Sequence, residues 1–314
     1  MREVTLRQNN GAPLSFRELC MRVVPDGARY LVLDLDRTVH FGINLGERLG
    51  WELSAYQSYG ADALDRLEPT RGRRLLVLDF QQPVALARFL YHGVRRWAYP
   101  GMDYLVWGKL ASSVPVLRRM ARGRYGEQFM QRAQRGTQLT LMRHLAEASE
   151  ALQLKLAERV WERAADDQVI TREDLAWLRA RHPGLRVILT SASPRPMVEV
   201  AAAQLGVDLK VSSTLARINS GTTKIDSLRE LCPEVLDPAV ISVGVTDNHY
   251  GEDLCWADHF TSVVDINSAW PFPRLVTESS PCRAVHSAAV LTQAELRRRA
   301  SGDRDYLDPR RASR

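Results

Sequence analysis

The segment Tyr30–Leu35 reads YLVLDL and then breaks off abruptly into Asp36-Arg37-Thr38. A strand with one wet face alternates apolar and polar residues, whereas a nearly unbroken apolar run is buried on both faces, as in a parallel sheet. Similar runs recur at Leu185–Thr190 (LRVILT), Leu209–Ser213, Val240–Val245 (VISVGV) and Phe260–Asp265, the last read as the final strand. Leu75–Phe80 (LLVLDF) is a further candidate strand. Helical stretches separate the later runs: Pro196–Leu205, closed by Gly206, and Lys224–Leu231, ended by Pro233. Strands alternating with helices predict an α/β fold with a parallel sheet and crossover helices.

The region from Pro83 to Arg181 is mainly helical in pattern. Val84, Leu90, Tyr91, Val94 and Trp97 share one helix face, and Arg88, His92, Arg95 and Arg96 another. Thr171 is a candidate N-cap, with Asp174 at the capping-box position. A short helix is expected over Phe16–Val23. The organisation predicted is one core strand, a long helical insert, then the rest of the core. This places the core at 1–40 and 183–275, the insert at 41–182, and a C-terminal extension at 276–314 whose last dozen residues are expected to be mobile.

The chain carries 43 Lys and Arg against 37 Asp and Glu, a net charge of +6, which favours anionic partners: phosphate esters, nucleic acid or anionic lipid. No nucleic-acid-binding module pattern supports the second. Cys20, Cys232, Cys255 and Cys282 form no CxxC pair, so zinc and redox motifs are not indicated and free, mostly buried thiols in a reducing cytosol are expected. The first residues lack an apolar signal core, and no run of 18 apolar residues exists. A cytoplasmic protein is the expectation.

Four polar clusters lie at the ends of core elements, where open α/β sheets bind ligands. Asp34 and Asp36 fall on the same side of an extended chain, and two carboxylates so close call for a cation, naturally Mg²⁺ with its oxygen ligands. Thr38 follows as a local hydrogen-bonding group. Thr190-Ser191-Ala192-Ser193 offers hydroxyls and backbone amides just ahead of a helix, an arrangement that binds anions. Lys224 begins a helix, where its charge opposes the helix dipole and a buried anion would explain it. Thr246-Asp247-Asn248-His249-Tyr250-Gly251-Glu252-Asp253 is an acidic loop and a second source of metal ligands. Each alone has a plainer meaning: a solvated strand end, an N-cap, a surface charge, a polar loop.

Taken together and in order, the set resembles the haloacid dehalogenase superfamily. YLVLDLDRT is similar to that family's first motif, DxDxT after an apolar strand. VILTSAS resembles the second, Lys224 the third and GVTDNHYGED the fourth. SASPRPMVEVAAAQLGVD is similar to the branch containing phosphoserine phosphatase. The resemblance implies a Rossmann-like core with a helical cap domain inserted after the first strand. It implies that Asp34 is the nucleophile and Asp36 the general acid and base. Thr38, Ser191, Ala192 and Lys224 would bind phosphate, with Thr190 an alternative to Ser191. Mg²⁺ would be held by Asp34, Asp36 (through its carbonyl), Asp247 and Asp253, with Glu252 the alternative to Asp253. Family members often carry Gly where Arg37 stands. Dehalogenase members lack a carboxylate at position 36, so Asp36 implies phosphatase or phosphotransferase chemistry.

The stretch Arg88–Arg143 holds eleven basic residues against Asp103 and Glu127, with aromatics interleaved. It reads as a cap over an anionic substrate, as a peripheral membrane surface suited to a lipid phosphate, or as a solvated basic face. The function expected is a Mg²⁺-dependent phosphomonoester hydrolase acting on a small phosphorylated substrate. The alternatives are a phosphotransferase of the same fold and a weakly active binding or regulatory protein.

Overall fold

The computed structural model describes residues 2–9, 11–42, 44–61, 82–97, 135–136, 138–247, 253–268 and 274–308. In chain order these give β1 (Arg2–Val4), β2 (Leu6–Gln8), α1 (Phe16–Val23), β3 (Tyr30–Leu33), α2 (Leu45–Tyr59), α3 (Pro83–Trp97), α4 (Glu150–Arg163) and α5 (Arg172–Arg181). Then follow β4 (Arg186–Pro194), α6 (Arg195–Leu205), β5 (Leu209–Ser213), α7 (Thr222–Leu231), β6 (Ser242–Thr246), β7 (Ser262–Ile266), β8 (Arg274–Val276), β9 (Ala284–Ala288) and α8 (Gln293–Ala300).

Seven strands pair in the order β2-β9-β7-β6-β3-β4-β5, each pairing parallel. This is the expected parallel α/β sheet. β3 lies inside it, between β6 and β4, and is buried along its whole length. From β3 the chain builds outward through β4 to β5, then crosses to the other side for β6 and β7. Such a reversal leaves a crevice at the carboxyl end of the central strand, and Asp34 is the residue immediately beyond β3.

Alternation along β3 feeds two cores. Leu31 and Leu33 point into one with α1, α2 and α4–α6, whereas Tyr30 and Val32 join Ile225, Leu228, Trp256 and Phe260 on the other face. Leu45, Leu49 and Leu53, spaced one turn apart on α2, are fully buried in the first. α4 and α5 lie in the stretch read as helical, α2 lies ahead of it where no helix was predicted, and all three share that same apolar cluster with the sheet.

Two of the local signals at element ends, Thr171 and Gly206, are as the sequence indicates. Ser15 and Thr171 each close a capping box, the latter with Asp174, and Gly206 ends α6 at a left-handed φ of 66°. All four cysteines are free, three of them buried. No described helix is long and apolar enough to cross a membrane.

Four expectations need correction. Phe260–Asp265 was to hold the last strand, but β8 and β9 follow it, and β9 pairs with both β7 and β2, so residues beyond 275 contribute to the sheet. Ser191-Ala192-Ser193 belong to β4 and do not cap a helix, since α6 starts only at Arg195. The acidic loop begins one residue later than its predicted strand end, because β6 includes Thr246. Finally, the apolar face predicted on α3 is turned outward, with Val84, Tyr91 and Val94 68%, 62% and 64% exposed. α3 is instead seated by Phe89 and Gly93, where the missing side chain at Gly93 lets Trp51 come close (an added Cβ would lie 3.3 Å from its ring). Both stripes are apolar, so periodicity alone could not choose between them. The strand predicted at Leu75–Phe80, Asn248, His249 and Glu252, most of the basic stretch and the end of the polar tail lie outside the described residues.

Candidate active site

The carboxyl ends of β3, β4 and β6, with the first turn of α7, bring together residues far apart in sequence. Asp34 donates its backbone amide to Val245 O at 3.0 Å, which ties the residue after β3 to β6. Lys224, in the first turn of α7, is 1% exposed. Its ammonium donates to Asp34 Oδ1 at 2.9 Å and to Asp253 Oδ1 at 2.8 Å. The buried anion that its unfavourable place on the helix dipole called for is therefore a pair of carboxylates. Asp253 Oδ2 accepts from Thr246 Oγ1 at 2.6 Å, so both of its oxygens are engaged.

The floor beneath the lysine is aromatic. Trp256 is fully buried, its ring centroid 5.5 Å from Lys224 Nζ, and it stands edge-on to Phe260 at 5.2 Å. Gly244 on β6 makes this possible: a Cβ there would lie 2.6 Å from Phe260 and 2.8 Å from Trp256. Glycine weakens a strand, and here close ring packing is its use.

Asp36 is held differently. Its Oδ1 accepts from Leu45 N at the start of α2 at 2.7 Å, and its Oδ2 accepts from Ser193 Oγ at 2.5 Å. Arg37 adopts φ 62°, the left-handed region that favours glycine, at a cost of about 1 kcal/mol. The chain thus makes the glycine-like turn without glycine, and the Arg37 charge opposes the burial that raises the Asp36 and Asp247 carboxyls. Thr38 is fully buried, and its hydroxyl has no hydrogen-bond partner among the described residues.

On β4, Thr190 and Ser191 are both buried but face different partners. Thr190 Oγ1 accepts from Asn219 Nδ2 at 3.0 Å, and the same amide donates to Ser191 O at 3.0 Å. Ser191 Oγ accepts from Ser193 N at 3.0 Å, which uses a lone pair and leaves its proton to give. Thr190 Oγ1 likewise accepts here, so both hydroxyls keep a proton to give. Ala192 is buried beside it.

Electrostatically the site has an excess of negative charge. Burial raises the Asp34 carboxyl well above its ordinary value; Lys224 opposes this, and Asp253, Asp247 and Asp36 add to it. Burial likewise raises Asp36, against the hydrogen bonds from Ser193 and Leu45. Asp247 is pushed up to about 7, mainly by burial, with Arg37 opposing and Asp253 and Asp265 reinforcing. Four carboxylates thus influence one ammonium, a setting that a hard cation would relieve. Among the described residues no three His, Cys, Asp or Glu side chains form a ready metal ring. Mg²⁺ does not require one, because it binds through one or two carboxylates and keeps several waters. Asp34 and Asp247 are carboxylates of that kind, and Asp247 acts electrostatically on Asp34. Asp253, engaged by Lys224 and Thr246, is placed as the lysine's partner.

Sequence reasoning missed Ser193 as a partner of Asp36, Asn219 as a brace under Thr190 and Ser191, Thr246 as a partner of Asp253, and the amide of Leu45. Ser193 lay within the quoted TSAS phrase and Thr246 beside Asp247, so polar residues at strand ends were the signal. Asn219 sits in a loop with nothing local to mark it.

The haloacid dehalogenase-like hydrolase profile matches residues 98–257, just over half of the 314-residue chain. The match contains Ser191, Lys224, Asp247 and Asp253 and begins after Asp34 and Asp36. No curated protein matches the chain. Among solved structures, a protein of unknown function from Bordetella pertussis Tohama I is similar at 13% identity, over 77% of this chain and 92% of that one, with a TM-score of 0.43. A phosphoserine phosphatase bearing a phospho-aspartyl intermediate analogue is similar at 11% identity, over 77% and 88%, with a TM-score of 0.38. L-2-haloacid dehalogenase from Xanthobacter autotrophicus is similar at 14% identity, over 80% of each chain, with a TM-score of 0.35.

Proposed function

The chain belongs to the haloacid dehalogenase-like hydrolases, and from that premise we propose that it is a Mg²⁺-dependent phosphomonoester hydrolase working through a phospho-aspartate on Asp34. The observation that carries this reading is the buried ammonium of Lys224 hydrogen-bonded to both Asp34 and Asp253 at the carboxyl end of the central strand. A buried cation there holds one carboxylate oxygen and adds positive charge where phosphoryl oxygens would gather, and phosphoryl transfer needs positioning and charge neutralisation above all. The carboxylate at position 36 favours phosphoryl chemistry over dehalogenation.

In this mechanism Lys224 fixes Asp34 Oδ1, and Oδ2 attacks phosphorus. Asp36 gives its proton to the departing alcohol oxygen as the phosphorus–oxygen bond breaks. Asp36 then takes a proton from the water that attacks the phospho-aspartate, and inorganic phosphate leaves with Asp34 restored. Ser191, with the amide of Ala192, donates to the phosphoryl oxygens. Mg²⁺, held by Asp34, Asp247 and the Asp36 carbonyl, would neutralise phosphoryl charge. The substrate proposed is a small phosphate ester. Hydrolysis of an aryl phosphate should require Mg²⁺ and vanish in Asp34→Asn with the melting temperature little changed; retained activity in that variant would overturn the mechanism.

A further inference from the structure

We infer that Ser193, backed by the first turn of α2, is the positioning residue that aims Asp36 at the leaving-group oxygen. The inference rests on the proposed hydrolase reading and adds a residue that neither the family match nor the sequence motifs assign. Ser193 is fully buried. Its hydroxyl donates to Asp36 Oδ2 at 2.5 Å, and its amide donates to Ser191 Oγ at 3.0 Å. One residue therefore connects the phosphate-side hydroxyl to a carboxylate 157 positions earlier in the chain.

The second hold on Asp36 comes from Leu45 N, the first residue of α2, at 2.7 Å. The two holds are built into one joint. Gly46 backs directly onto Ser193, and a Cβ at Gly46 would lie 2.6 Å from Ser193 Oγ and 2.8 Å from Pro194. α2 can approach close enough for Leu45 to reach Asp36 because residue 46 has no side chain. Asn44 caps the helix through Glu47 N at 2.8 Å, so its side-chain oxygen serves the helix and Asp36 is left to Leu45 and Ser193.

Both donors to Asp36 are neutral. They fix the plane of the carboxyl group on both oxygens yet leave lone-pair positions for a proton in flight, since a carboxylate offers about four acceptor sites. A lysine at the same place would hold the group as an anion. A proton donor misplaced by about 1 Å can lose about 10²-fold in rate, so the aim of this carboxyl group matters more than its presence.

The test compares an alkyl phosphate, whose leaving group needs a proton, with p-nitrophenyl phosphate, whose leaving group needs it little. It uses the full-length chain with Mg²⁺. Ser193→Ala should lower kcat/KM, which reports the leaving-group step and not the later hydrolysis of the phospho-aspartate, by about 10- to 100-fold for the alkyl ester. It should lower kcat/KM for the aryl ester by no more than about threefold. Ser193→Thr, which keeps the hydroxyl, should recover most of the alkyl activity. Gly46→Ala, acting from the helix side, should reproduce the alkyl-selective loss. Melting temperatures identify any variant that fails to fold, and the other variants then decide. Equal losses on both esters, or none, would overturn the role of Ser193 while the hydrolase reading stands, provided Asp34→Asn is inactive. A wild-type chain without Mg²⁺-dependent turnover of either ester would overturn both.

Discussion

Asp34 and Asp36 lie two residues apart, yet they are held by opposite means. Asp34 is bound to a buried ammonium that it shares with Asp253, and the group rests on a floor of Trp256 and Phe260. Asp36 is bound to a serine hydroxyl and a backbone amide at a helix start, closer to solvent. Burial raises both carboxyl groups, but only at Asp34 is the strongest opposing influence a full positive charge. In the proposed mechanism the contrast separates two duties. A cation at hydrogen-bond distance suits a carboxylate that must attack as an anion, whereas neutral donors suit one that must carry a proton and release it.

The severest way to break this comparison is to remove the cation. Lys224→Met would leave Asp34 and Asp253 buried without a counter-charge, and it should destabilise the fold by about 3–5 kcal/mol by chemical denaturation. Turnover should fall on the order of 10³-fold. Removing the proton instead, Asp36→Asn should cost about 10²–10⁴-fold in kcat and leave the melting temperature nearly unchanged, since no buried charge loses its partner.

Metal and pH sharpen the contrast next. The carboxyls of Asp34, Asp36 and Asp247 are all raised, Asp247 to about 7. The folded chain then binds more protons than the unfolded one between the ordinary carboxylate range and about 7, so stability in chelator should fall as pH rises through that window. Mg²⁺ competes with those protons, so its stabilising effect should be larger at pH 8 than at pH 5, reaching about 2.7 kcal/mol at a hundredfold excess over Kd. Thermal melts at both pH values with and without Mg²⁺ would show this, and Asp247→Asn should shrink the difference. A smaller effect is expected from the aromatic floor beneath Lys224. Gly244→Ala would push a methyl group into Phe260 and Trp256 and should destabilise by about 1–3 kcal/mol, measured by denaturant unfolding, with activity falling as Lys224 shifts.

Much of this arrangement was legible in the sequence, and for a physical reason. A strand buried on both faces must be apolar until it leaves the core, so YLVL followed by Asp34 marks both the strand and the first residue free to do chemistry. A lysine at the start of a helix, which alone read as a surface charge, is explained by the buried carboxylates it meets. What the sequence hid were interactions set by approach. Nothing local in RINSG says that Asn219 reaches back to Thr190, or that Gly46 is small so that Ser193 can reach Asp36. The outward apolar face of α3 was misread because Phe89 and Gly93 make an equally plausible inner stripe, and only the packing against Trp51 selects it. β9 was lost to a polar reading of the tail, although AVHSA is short, paired on both sides and nearly all buried.

The central claim is that Asp34 itself accepts the phosphoryl group. Rapid acid quench during turnover of a phosphate ester labelled in its phosphoryl group, followed by peptide mapping, tests it most directly. The account predicts a hydroxylamine-sensitive label on the peptide containing Asp34, formed in the presence of Mg²⁺ and missing from Asp34→Asn. Steady hydrolysis with no labelled protein under the same quench, or a label carried on any other residue, would contradict it.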